Sequence, residues 1–144
     1  MTDTTQFCTF YLDSFLFGVD VRKVQEVIRT LELTRIPLAP DVISGLINLR
    51  GQIVTGIDLR RRLELPPRPP TLQPMNVVIH TGEEAISLLV DTIGAVITVD
   101  PDTFEKPPET LTGVARDLIL GAYKLKDRLL LALDIDKVIQ GASV

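Results

Sequence analysis

The strongest constraint on the fold is a unit written twice. Residues 45–63, GLINLRGQIVTGIDLRRRL, return at 121–139 as GAYKLKDRLLLALDIDKVI, with Gly45/Gly121, Leu49/Leu125 and Asp58/Asp134 in register. Each copy is an apolar run, a two-residue break, a second apolar run, and then an aspartate followed by helical spacing. The breaks, Arg50-Gly51 and Lys126-Asp127, are short enough to close hairpins. Asp58 and Asp134 stand where a side-chain oxygen would cap a short helix, and Leu59, Leu63 and Leu65 fall on one side of the first helix. Further upstream, Val19-Asp20 before VRKVQEVI resembles Val90-Asp91 before TIGAVITV, 71 positions on. The order strand, Val-Asp, strand, Gly, hairpin, Asp, short helix thus occurs twice.

The remaining runs are also short, alternating or rich in β-branched residues, and bounded by turn residues, which predicts an all-β chain. The first strands are expected at 7–12, 15–19, 24–36, 45–50 and 52–57, with Asp13-Ser14 closing a hairpin; the later ones at 75–81, 85–91, 95–100, 118–125 and 128–133. Between the two sets lies PPRPPTLQP, which holds five of the ten prolines and reads as an extended linker or crossing loop. A polyproline ligand is the other reading of that segment. A second Pro-rich stretch, PDTFEKPPETLTG, follows residue 100. The expected architecture is two five-stranded β-barrel subdomains with short helices, about 13–72 and 73–140, the second completed by an N-terminal strand at 6–12. Each half is marginal in size for a core of its own, so a third core is expected between the barrels.

A net charge of −4 argues against non-specific nucleic-acid binding, which needs a cationic surface. The single cysteine, Cys8, cannot form an internal disulfide. The N-terminal MTDTTQ lacks the basic and apolar regions of a signal peptide, and no apolar run is long enough to span a bilayer, so a cytoplasmic protein without membrane insertion is expected. Catalytic patterns are missing: there is no zinc spacing, no GxxxxGK[ST], no GxGxxG and no GxSxG. His80 and Cys8 read as ordinary strand residues. Asp20, Asp58, Asp91 and Asp134 read as caps and turns, and the run Arg60-Arg61-Arg62 with Arg68 as a solvated face. No cofactor or metal is expected, and a small-ligand-binding barrel is a remote alternative.

Arg50 resists a bland account. A charge at the tip of an apolar hairpin either points to water or pairs with an acid on a neighbouring strand, and Glu26 in VQEV is the nearest acid by topology. Such a pair fixes geometry more than it adds energy. The second copy carries Lys126 there, which keeps the charge and loses the planar fork.

The segments VDVRKVQEVI (19–28), TRIPLAPDVISGLINLRGQIVTGIDLRRRL (34–63), SLLVDTIGAVITV (87–99) and the final GAYKLKDRLLLALDIDKVI resemble the CheW domain of bacterial chemotaxis coupling proteins, over residues 6–140. The resemblance implies two intertwined SH3-like β-barrels, no catalysis, and an adaptor role. The implied partners are the regulatory domain of a CheA-like histidine kinase and the cytoplasmic tip of methyl-accepting chemoreceptors, with recruitment to membrane-associated arrays. It also implies roles for residues: Val24, Glu26 and Arg50 in receptor coupling, with Glu26 and Arg50 paired; Gly45 at the edge of that region; Val96 in a groove between the barrels. Val27 is expected to serve with Val24 and Val96 as an apolar anchor of an interface. Since CheW domains also serve chemosensory-like systems, an adaptor controlling pili, surface motility or gene expression is the alternative. The Pro-rich linker departs from the family pattern, and no family role transfers to it.

Overall fold

The computed structural model describes residues 5–82 and 84–140. It is mostly β. In chain order the strands are β1 (Thr5–Leu12), β2 (Phe15–Asp20), β3 (Val24–Ile28), β4 (Ile43–Leu49), β5 (Gln52–Asp58), β6 (Met75–Thr81), β7 (Glu84–Val90), β8 (Thr92–Val99), β9 (Phe104–Glu105), β10 (Ile119–Lys124) and β11 (Leu129–Leu133). Three short helices are α1 (Leu59–Arg62), α2 (Gly113–Asp117) and α3 (Ile135–Gln140). One sheet has the order β8-β1-β2-β11-β10-β9 and the other β3-β6-β7-β5-β4.

The duplication extends to the register. In the β4–β5 hairpin Ile43 faces Ile57, and after a bulge Gly45 faces Gly56; in β10–β11, 76 positions on, Ile119 faces Leu133 and after the same bulge Gly121 faces Ala132. The β1–β2 and β6–β7 hairpins also correspond, since Leu12↔Phe15 and Thr81↔Glu84 close equivalent turns 69 positions apart. The offset is therefore 69 rather than 71, and Asp20 and Asp91, aligned by sequence, are not equivalent in space. The hairpins change places: β1–β2 joins β10–β11 through a parallel β2–β11 pairing, and β6–β7 joins β4–β5 through a parallel β7–β5 pairing. Each sheet thus draws strands from both sides of residue 72, as intertwined SH3-like subdomains would.

Three apolar clusters follow from this exchange. The largest lies between the sheets and unites Phe10, Phe17 and Leu131 of one with Ile57, Ile79 and Leu88 of the other. The two smaller ones belong to single sheets, around Phe7, Leu16 and Leu130, and around Ile47, Val54 and Val78. Leu59 and Leu63 of the α1 segment are buried in the central cluster, as helical spacing placed them.

The strand expected at 24–36 stops at Ile28. Leu31 and Leu33 turn inward onto the small cluster of their sheet, and Thr34 then pairs with Leu46, with backbone N–H···O distances of 2.8 and 2.7 Å. This close crossing explains Gly45: a Cβ there would lie 2.5 Å from the Thr34 carbonyl oxygen. Gly121 has the same task beneath Phe104 and Glu105 of β9. In both sheets the chain beyond the third strand of the repeat therefore wraps round to the far edge. The second Pro-rich stretch runs into α2, whose Ala115 is buried in the central cluster, a helix absent from the expected elements.

Candidate functional site

Six residues singled out by sequence fall on three elements. Val24, Glu26 and Val27 lie on β3, an outer strand of its sheet; Gly45 and Arg50 belong to the β4–β5 hairpin at the opposite edge; Val96 lies on β8, the outer strand of the other sheet. Because the sheet curls, Arg50 Nη2 reaches across and forms an ion pair with Glu26 Oε2. The pair is open to water, the Arg50 side chain being 68% exposed.

The tip carrying Arg50 is conformationally unusual. Arg50 and Gly51 both have positive φ, 52° and 87°, the pattern of a type I′ turn, and the Gly51 amide donates to Asn48 Oδ1 at 2.9 Å. Glycine or asparagine is the ordinary occupant of the first position, because a side chain in the left-handed region costs about 1–2 kcal/mol. The second hairpin shows no such demand: Lys126 is not among the positive-φ residues, and the loop is closed by the Leu125 amide donating to Arg128 O at 2.8 Å. The duplicated hairpins diverge at the two-residue tip from which the guanidinium meets Glu26.

Val27 and Val96 are equivalent under the 69-residue offset, since Val27 faces Val77 on β6 and Val96 faces Cys8 on β1. Both are exposed, at 45% and 55%, on edge strands. Val24 is half-buried against the central cluster, and Gly45 is buried. Gly45 therefore has the structural duty described above, and Val27, Val96, Glu26 and Arg50 form the accessible part of the set.

Sequence reasoning missed a buried ionic cluster. Asp91, read as a turn aspartate, is 5% exposed, and Arg60, read as part of a solvated face, is 6% exposed. The Asp91 carboxylate accepts from Arg60 Nε at 2.9 Å, from Arg60 Nη2, from Arg68 Nε at 2.9 Å and from the Asp13 amide at 2.9 Å. Arg60 Nη1 donates to the carbonyls of Pro66 and Pro67, and Arg68 Nη2 to that of Leu89, so the Pro-rich segment is tied to the end of β7. Burial pushes the Asp91 carboxyl upward, but the hydrogen bonds from Arg60, Asp13 and Arg68 outweigh it and hold it below the usual range. The bond to Asp91 likewise holds Arg60 charged against the cost of burial. The other two members of the run have separate fates. Arg61 is half-exposed between Asp58 and Asp41, and Arg62 donates to the carbonyls of Lys137 and Val138, satisfying the last turn of α3. Only the spacing that puts Arg60 on the Leu59–Leu63 side of a very short helix hinted at this.

Among the described residues no cluster of His, Cys, Asp and Glu is arranged to hold a metal ion, and no helix is long and apolar enough to cross a membrane. Cys8 is half-buried, and burial together with Asp20 pushes its thiol upward, away from an activated nucleophile. His80 is exposed on β6.

A family model described as a CheW-like domain matches residues 6–143. The chain is 30% identical over 139 residues to the chemotaxis protein CheW of Treponema pallidum, covering 92% of this chain and 81% of that protein. It is 31% identical over 137 residues to the chemotaxis protein CheW of Bacillus subtilis, covering 93% and 86%. The crystal structure of the scaffolding protein TtCheW from Thermoanaerobacter tengcongensis superposes with a TM-score of 0.81 at 28% identity, over 94% of this chain and 87% of that one.

Proposed function

Because the chain belongs to the CheW-like domain family, we propose that it is a noncatalytic adaptor that couples methyl-accepting chemoreceptors to a CheA-like histidine kinase and places the kinase under receptor control. It works in the cytoplasm, recruited to chemoreceptor arrays at the membrane. The observation that carries the reading is the Glu26–Arg50 pair. It joins opposite edges of one sheet, it is exposed to water, and its arginine occupies a left-handed position that the equivalent hairpin avoids. An exposed ion pair contributes little to stability, about 0–1 kcal/mol, so its value lies in the surface it shapes between the two edges of its sheet. Val27 and Val96, apolar and exposed at equivalent places on the two edge strands, supply the anchors. Individual contacts need not be strong, since an array holds many partners at once and multiplies weak affinities.

Calorimetric titration of the protein into the isolated kinase regulatory domain, and then of a receptor-tip fragment into the protein, tests the reading. Saturable one-to-one binding to the kinase domain and a second, separate interaction with the tip are expected. No heat and no complex by gel filtration with either partner would sink the adaptor assignment.

A further inference from the structure

The chain passes from one sheet to the other twice, and the two crossings differ. The first uses a short 3-10 turn, Val21–Lys23, between β2 and β3, with Asp20 accepting from the Arg22 amide and guanidinium at the surface. The second is a single residue, Asp91, between β7 and β8. Under the 69-residue offset Asp91 corresponds to Arg22. One position of the repeat is thus a buried carboxylate in one copy and an exposed guanidinium in the other, whose side chain is 82% accessible.

Four segments converge on the tight crossing. The Asp91 amide donates to Tyr11 O at 3.1 Å, and Tyr11 faces Thr92 at the start of the β1–β8 ladder. The Asp91 carboxylate holds the Asp13 amide of the β1–β2 turn, Arg60 of α1, and Arg68 of the Pro-rich segment. Charge balance does not require the last of these. Arg60 neutralises Asp91, while Arg68 also lies 3.8 Å from Asp58. Arg68 is therefore a second guanidinium on an already paired carboxylate, delivered by a segment whose neighbouring prolines, Pro66, Pro67, Pro69 and Pro70, are exposed. β8 needs such support: it is an outer strand whose ladder partner among the described residues is β1, with one further bond from the Ile93 amide to Met75 Sδ of β6 at 3.4 Å, and its ladder is interrupted by a bulge between Cys8 and Phe10.

We propose that the Pro-rich segment is a latch, with Arg68 as its bolt, that fixes the Asp91 crossing and thereby the stiffness of edge strand β8 and the presentation of Val96. The prolines keep the segment extended at little entropic cost, so the bolt arrives already aimed. Releasing it leaves Arg60 paired with Asp91, and the fold persists while the origin of the β1–β8 ladder loosens. The latch rests on geometry; its consequence for partner binding rests on the adaptor reading.

Arg68→Met, which keeps most of the stem and removes the guanidinium, tests it by amide hydrogen exchange. Amides of β8 hydrogen-bonded to β1 are expected to exchange at least tenfold faster than in the unsubstituted protein, while those of β4 and β5 change by less than twofold. Unchanged β8 exchange, or equal acceleration in all strands, would overturn the latch. With a receptor-tip fragment as the second readout, the variant should bind severalfold more weakly, and equal affinity would overturn the link to Val96. Failure of the unsubstituted protein to bind the tip would count against the adaptor reading alone, and the exchange result would still decide the latch.

Discussion

Asp91→Asn is the sharpest perturbation of the fold. The carboxylate serves four donor groups, two from Arg60, one from Arg68 and the Asp13 amide. Asparagine offers one acceptor oxygen and turns an N–H₂ toward groups that are themselves donors. Two guanidinium side chains, 7% and 10% exposed, then remain buried with Asp58, at 3.8 Å from Arg68, and Asp13, whose charge acts on Arg60, as partial counter-charges. Breaking a buried pair by removing one member costs about 3–5 kcal/mol, because the stranded charge keeps its desolvation penalty. With a urea dependence of roughly 2 kcal/mol per molar, the midpoint should fall by about 1.5–2.5 M. Circular dichroism is the suitable probe, as the chain has no tryptophan. The pH dependence has a definite sign. The folded-state carboxyl lies below its ordinary range, so its contribution is complete above about pH 4 and is lost as pH falls through the lowered value. The gap between the two proteins should accordingly narrow in acid. A loss under about 1 kcal/mol at pH 7, or a gap that does not change in acid, would refute the view of Asp91 as a buried ionised anchor.

Arg50→Ala should shift stability by under about 1 kcal/mol, since the pair is exposed and alanine keeps the Cβ that the left-handed position already strains; thermal melts read this, and receptor control of kinase activity in a reconstituted complex should fall far more. A variant that simply unfolds would make the pair structural. Gly45→Ala should destabilise by about 2 kcal/mol or more, because its Cβ meets a backbone carbonyl at 2.5 Å that cannot withdraw without breaking the Thr34–Leu46 pairing. Gly51→Ala, where a Cβ would meet nothing within 4 Å, is the control and should cost only the strain of its positive φ.

The strand pattern and the repeat were legible because alternation and turn residues are local signals. The Glu26–Arg50 pairing was legible only in part: the hairpin pattern left Arg50 as free to face water as to pair, and the family resemblance favoured the contact that the structure has. The end of β3 was not, since LELT keeps the alternation of a strand; what stops the ladder is the return of Leu31 and Leu33 to the core and the passage of Thr34 over Gly45. The partners of Asp91 were hidden for a related reason. An arginine in a run of three looks solvated, and only the tertiary packing of α1 against the end of β7 shows that Arg60, Arg61 and Arg62 point to three different places. The offset of 69 was masked because two Val-Asp pairs gave a false anchor, one capping a surface turn and the other buried at a crossing.

The exchange of hairpins has a consequence for synthesis of the chain. β2 pairs with β11, Leu16 facing Leu130, so the β1–β2 hairpin can meet β8 once residue 99 has emerged but gains its other neighbour only when β11 has been made. The other sheet can assemble earlier, since β3 to β7 are all present once residue 90 has emerged. Contacts this distant in sequence make closure slow and leave apolar surface waiting. The N-terminal hairpin therefore completes a sheet with C-terminal strands, and a translation pause before β10 would leave Phe10 and Phe17 against Ile57, Ile79 and Leu88 but without Leu131, and β2 without its β11 partner.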